Sequence, residues 1–158
     1  MGFADMSPRS IRIGHEEDMR VLAVRLSALL KAGDVVTLQG DLGAGKTTFA
    51  RALINALSAV EVEVPSPTFT LVQVYDSVSP EVWHFDLYRL EDESEILELG
   101  WEEARRQAVA LVEWPERLGT LLPKDRLEIN IAFIKDSENS REVTFTSQGK
   151  WIHRQWPE

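Results

Sequence analysis

The sequence predicts an α/β fold of three layers, with a mixed central sheet and antiparallel strands at its C-terminal end. Three observations carry that expectation. The near-continuous apolar run Asp34-Val35-Val36-Thr37-Leu38-Gln39 has strand length, a glycine-rich nonapeptide follows it, and Phe49-Ala50-Arg51-Ala52-Leu53-Ile54-Asn55-Ala56-Leu57 then has helical spacing. Two further strand-like runs, 71–75 and 81–86, are separated by a turn-rich linker. Finally, residues 126–132 and 141–146 alternate apolar and polar around a polar turn at 135–140. Strand, glycine loop and helix in that order make the expected fold P-loop NTPase-like.

Residues 1–9 read as a flexible leader, and Ile11-Arg12-Ile13 as a short strand. From 16 to 31 the residues Val21, Leu22, Val24, Leu26, Leu29 and Leu30 form a broad apolar face, acids crowd the first turn, and Gly33 is placed as a stop. This predicts a helix lying on the sheet.

The nonapeptide Gly40-Asp41-Leu42-Gly43-Ala44-Gly45-Lys46-Thr47-Thr48 fits G-x-x-x-x-G-K-[ST] at every fixed position. Such a loop must aim successive backbone N–H groups at phosphate oxygens, and its glycines permit that close approach. Lys46 brings a mobile charge for the outer phosphates, and Thr47 a hydroxyl for a magnesium ion. A helix starting at Lys46 adds the positive end of its dipole. Asp41, Leu42, Gly43, Ala44, Gly45, Lys46, Thr47 and Thr48 are therefore the expected nucleotide-binding residues.

Two prolines make residues 62–70 a loop, with Thr68 as the candidate hydroxyl near the terminal phosphate and Ser66 second to it. The runs 71–75 and 81–86 predict an antiparallel hairpin ending in Asp86. An acid at the C-terminal end of a strand is where α/β folds place ligand chemistry; a helix cap or an ion pair with Arg89 is the structural alternative. Residues 91–103 interleave seven acids with Ile96, Leu97, Leu99 and Trp101 around a break at Gly100. That pattern suits a solvated amphipathic face or a docking edge for a basic partner. The run 107–112 reads as a buried strand followed by Glu113, and a carboxylate there is costly unless it meets a cation. Glu113 is thus the candidate magnesium contact, direct or through water. Trp114 suits core packing. Trp151, Ile152 and Trp156 make a last strand or a tail, and the three histidines are too scattered to suggest a metal cluster.

At 158 residues the chain is expected to be one domain, 1–158. A net charge of −9 argues against a stand-alone nucleic-acid binder, and the absence of cysteine excludes disulfides, thiol catalysis and thiolate metal sites. Gly2 lacks the downstream Ser or Thr of a myristoylation site, and neither a secretion signal nor a membrane-spanning run is evident, so a cytoplasmic protein without membrane contact is expected.

No Asn-Lys-x-Asp element and no Asp-x-x-Gly switch occurs, which favours adenine over guanine. Three classes stay open on these residues: an ATPase, a small-molecule kinase with Arg89, Arg105 and Arg106 as lid arginines, and a binding module without turnover.

The phosphate loop, Ser66-Pro67-Thr68-Phe69-Thr70-Leu71-Val72, His84-Phe85-Asp86-Leu87-Tyr88-Arg89-Leu90 and Val112-Glu113-Trp114-Pro115-Glu116, in that order, resemble the TsaE (YjeE) family. The resemblance spans about residues 34–131 and implies an ATP- and Mg2+-dependent ATPase of tRNA threonylcarbamoyladenosine synthesis at adenosine 37. It implies a weak hydrolase that is stimulated by, and acts on, the TsaD-TsaB transferase complex, with tRNA touched at most indirectly. By position it implies that Thr47 and Glu113 hold magnesium, that Asp86 acts in hydrolysis together with Lys46 and a switch-like loop around Thr68, and that Trp114 belongs to the nucleotide site.

Overall fold

The computed structural model describes residues 9–154. Seven strands form one mixed sheet: β1 (Arg9–Ile13), β2 (Val35–Gln39), β3 (Val72–Tyr75), β4 (Val82–Asp86), β5 (Val109–Glu113), β6 (Arg126–Ile134) and β7 (Ser137–Gln148). Their order is β1-β7-β6-β2-β5-β4-β3. The centre is parallel, with β2 between β5 and β6 and β4 beside β5. The flanks are antiparallel: β3 pairs with β4, β7 with β6, and β1 with β7. The expected P-loop NTPase-like fold, with its mixed sheet and C-terminal antiparallel strands, is the one observed.

Burial explains which strands occupy the middle. Every residue of β4 and β5 is buried, as central strands covered on both faces are. β6 alternates because parts of it face solvent. On one face α1 (Glu16–Ser27) and α2 (Lys46–Ala56) pack Leu22, Leu26, Phe49, Leu53 and Ile54 against Val36, Leu38 and Leu111. On the other face α3 (Ser94–Glu98) and α4 (Trp101–Gln107) cover the sheet with Ile96, Trp101 and Ala104. There Phe85 meets Trp101 edge-on with centroids 5.3 Å apart, a geometry worth about 0.5–1.5 kcal/mol beyond the area it buries.

Several boundaries differ from the sequence-based expectation, each for a local reason. The first helix stops at Ser27 rather than reaching 31, because the Asp34 carboxylate takes the Lys31 N–H and so draws the chain into a turn. The fifth strand starts at Val109, and Gln107 ends α4 instead. Arg9, expected in the leader, pairs with Phe145 in the sheet, while residues 1–8 lie outside the described residues. The acidic stretch 91–103 is broken at Gly100, as expected, into two short helices; Gly100 has φ +95, and a Cβ there would crowd the Trp83 ring. After β7 the chain makes a short 3-10 helix, Gly149–His153, which buries Trp151. Arg154 then forms a paired hydrogen bond with Asp34, so the described end of the chain is a tail and not a strand. Trp156 lies outside the described residues. No described helix is long and apolar enough to cross a membrane.

Candidate functional site

The site forms where three parallel strands end together, at the C-terminal edge of β2, β4 and β5. Residues 40–45 leave β2 and enter α2 at Gly45, which has φ +114, a conformation glycine adopts without a Cβ penalty. Gly40 has a second constraint, since a Cβ there would collide with the Ile131 carbonyl oxygen on β6. Sequence and neighbouring strand together fix the course of the loop.

Lys46 begins α2 and is 6 % exposed. Its ammonium donates to the Gly40 carbonyl at 2.5 Å and lies 3.8 Å from the centre of the Trp114 ring. Burial lowers its pKa from 10.5, and the charges of Glu113, Asp86, Glu116 and Asp41 act against that shift. A lysine so placed is a desolvated cation surrounded by acids, with donors left over for a further anion.

Asp86 and Glu113 face each other in register at the ends of β4 and β5, both buried. Asp86 Oδ2 accepts the Thr68 hydroxyl at 3.0 Å, Oδ1 accepts the Tyr88 N–H at 3.0 Å, and Ser66 lies 2.7 Å from Thr68. The contact with Tyr88 N–H closes a local turn; no helix begins there, so the helix cap weighed from sequence is not what Asp86 forms. Arg89, the other alternative partner, stacks instead over Phe69, an exposed ring on the loop that carries Thr68. Glu113 Oε2 lies 3.5 Å from the Thr47 hydroxyl and 2.6 Å from His84 Nε2. Trp114 takes φ +60, which swings its half-buried ring out of the strand direction, over Lys46 and 5.0 Å from Tyr88.

The structure therefore brings Lys46, Thr47, Thr68, Asp86, Glu113 and Trp114 to one mouth, while Asp41, Leu42 and Gly43 line it as exposed residues. Trp114 packs against the apolar cluster beneath, as core packing predicts, and also lies over the Lys46 ammonium. A hydroxyl and a carboxylate 3.5 Å apart are hard oxygen donors that suit a magnesium ion completed by phosphate and water. Among the described residues no group of three or more His, Cys, Asp or Glu could hold a metal by itself.

Two features were not foreseen. His84 alternates with Asp86 along β4 and therefore points to the same face, a signal of period two that was available in the sequence. Arg141, near the middle of β7, donates from Nε to the Ala44 carbonyl at 3.1 Å and stacks 4.3 Å from Phe133. It braces the phosphate loop from 97 residues away, and nothing local in the sequence marks it.

Comparison with known proteins places this geometry. Residues 13–143 match the family model described as threonylcarbamoyl adenosine biosynthesis protein TsaE. The chain is 44 % identical over 138 residues to the Bacillus subtilis tRNA threonylcarbamoyladenosine biosynthesis protein TsaE, covering 87 % of this chain and 85 % of that one. It is 42 % identical over 139 residues to the protein of that name from Streptomyces coelicolor, covering 84 % and 92 %. A crystal structure of Bacillus subtilis YdiB superposes with a TM-score of 0.75 at 34 % identity, over 90 % of this chain and 87 % of that one. With the family model spanning the phosphate loop, both strand-end acids and the Thr68 loop, the chain belongs to the TsaE family of tRNA threonylcarbamoyladenosine biosynthesis.

Proposed function

We propose that this protein binds and slowly hydrolyses ATP, and that hydrolysis supports threonylcarbamoyl modification of tRNA adenosine 37 through the TsaD-TsaB transferase complex. The observation that carries the ATPase reading is the convergence of a buried, under-used cation, Lys46, with two carboxylates of different surroundings at the mouth of a phosphate loop. The tRNA pathway and the partner complex are inferred from family membership.

The residues divide the work by what each already touches. The backbone N–H groups of 41–48 cradle the phosphates, and Lys46 turns spare donors toward the outer ones. Thr47 and Glu113 would hold magnesium, which when bound neutralises phosphate charge. Asp86, whose Oδ2 faces the loop hydroxyl of Thr68, orients a water and accepts its proton as oxygen attacks the terminal phosphorus. The bond to the bridging oxygen breaks, and ADP and phosphate leave. Trp114 shields Lys46 from solvent on one side, and so strengthens its field at the phosphates.

Slow turnover in isolation is expected because, among the described residues, no arginine pairs with Asp86 or Glu113, and Arg89 rests over the exposed Phe69 ring. A group of that kind is worth about 10³ to 10⁵ in rate, and a partner supplies it or orders the Thr68 loop. The deciding experiment is reconstitution of tRNA modification with TsaD and TsaB, with this protein present or omitted, while free phosphate is followed. Continued modification and phosphate release only when it is present supports the proposal. Phosphate found on a small acceptor makes it a kinase, and ATP bound without release makes it a binding module.

A further inference from the structure

Resting on the nucleotide reading above, we propose that His84 is a positioning residue for magnesium-nucleotide binding: its Nε2–H holds the Glu113 carboxylate toward Thr47. His84 is wholly buried in the middle of β4, on the face shared with Leu111 and covered by α2. A polar ring in such an apolar layer is costly unless it is hydrogen-bonded, and the fold supplies one partner only. Asp86 is the register partner of Glu113, so His84, two residues earlier on β4, is its diagonal neighbour across the strands, within reach of a long side chain. Nε2 lies 2.6 Å from Glu113 Oε2, and Nδ1 is buried with no hydrogen-bond partner.

The orphan nitrogen selects the tautomer. With hydrogen on Nε2, the ring donates to the carboxylate and leaves only a lone pair unpaired at Nδ1. With hydrogen on Nδ1, a donor would be stranded in the core while two acceptors faced each other at 2.6 Å, which costs more. The donated bond engages Oε2, the oxygen that also lies by the Thr47 hydroxyl, and fixes the plane of the carboxylate. Partners that orient a metal-binding group in this way typically change metal affinity about 10- to 100-fold when removed.

The test compares His84→Phe, which keeps the ring volume without a donor, with His84→Gln, whose amide nitrogen reaches the place of Nε2. ATP binding is measured with and without magnesium, and the magnesium concentration for half-maximal binding is recorded. His84→Phe should raise that concentration about tenfold or more while binding without magnesium stays unchanged, and His84→Gln should return most of the loss. Equal magnesium requirements in wild type and in both variants overturn the proposal. Should His84→Phe fail to fold, nitrogen-15 histidine spectra of the wild-type protein decide: hydrogen on Nε2, with a shift when magnesium and ATP are added together, supports it, and hydrogen on Nδ1 overturns it. A wild-type protein that binds no ATP at all fails the nucleotide reading itself, whereas a magnesium-dependent wild type with unaffected variants fails His84 alone.

Discussion

Asp86 and Glu113 end neighbouring parallel strands in register and share the field of Lys46, yet the two strand ends are built differently. Glu113 is tied to the body of the fold, through His84 in the core of β4 and Thr47 in the first turn of α2. Asp86 is tied to segments that have no regular structure, through the Thr68 hydroxyl and the Tyr88 N–H. One carboxylate is held by a buried strand and a helix packed on the sheet, and the other by a loop whose neighbour Phe69 is 80 % exposed. The contrast suits a division of labour. A metal contact needs fixed oxygen geometry, whereas a group that orients a water benefits from a loop that closes when the nucleotide or a partner arrives.

Removing the shared cation should have the largest effect, because it abolishes what the two ends have in common. Lys46→Ala is expected to lower ATP turnover by at least about 100-fold, or to abolish triphosphate binding, measured by calorimetry and phosphate release. Unchanged affinity and turnover in a folded variant would separate the lysine from both acids. Lys46→Met should at the same time melt higher than wild type near neutral pH. Burial depresses the lysine pKa below its unfolded value of 10.5, so the folded state carries a penalty for the charged form. That penalty is full below the lowered pKa and fades as pH rises toward 10.5. The gap in melting temperature should therefore narrow with alkalinity, and a gap independent of pH would assign the change to packing.

The next two substitutions test the contrast itself. Asp86→Asn keeps an acceptor for the Tyr88 N–H but loses the base, and should slow hydrolysis by about 10² to 10⁴ while ATP affinity stays near wild type. Glu113→Ala should raise the magnesium needed for ATP binding by about 10- to 100-fold. Titrations of magnesium and ATP against both variants check this. Coincident magnesium curves for wild type and Glu113→Ala would remove Glu113 from the metal shell, and matching losses in the two variants would make the strand ends equivalent.

What could be foreseen depended on how local the signal was. The glycine-rich loop, with the strand before it and the helix after it, lies within one short stretch, so its place in the fold could be read from residue types and spacing alone. Asp86 and Glu113 were visible because an acid after an apolar run is costly anywhere else. His84 was passed over because its partner lies 29 residues away on another strand, and Arg141 because its contact with Ala44 spans 97. The end of the first helix was misplaced for a similar reason, since Asp34, with Arg154 as its distant partner, overrides a face that stays apolar to Leu30. Pattern reports the faces of single elements; register between strands decides which polar groups meet.

A third group of acids sharpens the comparison by showing what unburied carboxylates do. Glu91, Glu98 and Glu102 are exposed on and before α3 and α4, whose inner residues Ile96, Trp101 and Ala104 grip the sheet on the face opposite the phosphate-loop helix. Their charges are solvated and far less costly than those at the strand ends, so their removal should leave folding and ATP binding untouched. If this edge meets a basic surface of the transferase complex, the charges act by steering and complementarity, which salt screens over about 10 Å at 0.1 M. Replacing Glu91, Glu98 and Glu102 by Lys together should then weaken association with TsaD-TsaB several-fold at low salt, and the difference should shrink as salt is added. Glu93 is left out because it accepts the Thr120 hydroxyl at 2.7 Å, so replacing it would remove a tertiary hydrogen bond as well as a charge. Wild-type association of the triple variant at low salt, measured by surface binding, would make this edge an ordinary solvated face. The partner would then meet the protein at the other side of the contrast, on the exposed Phe69 and the loop that carries Thr68.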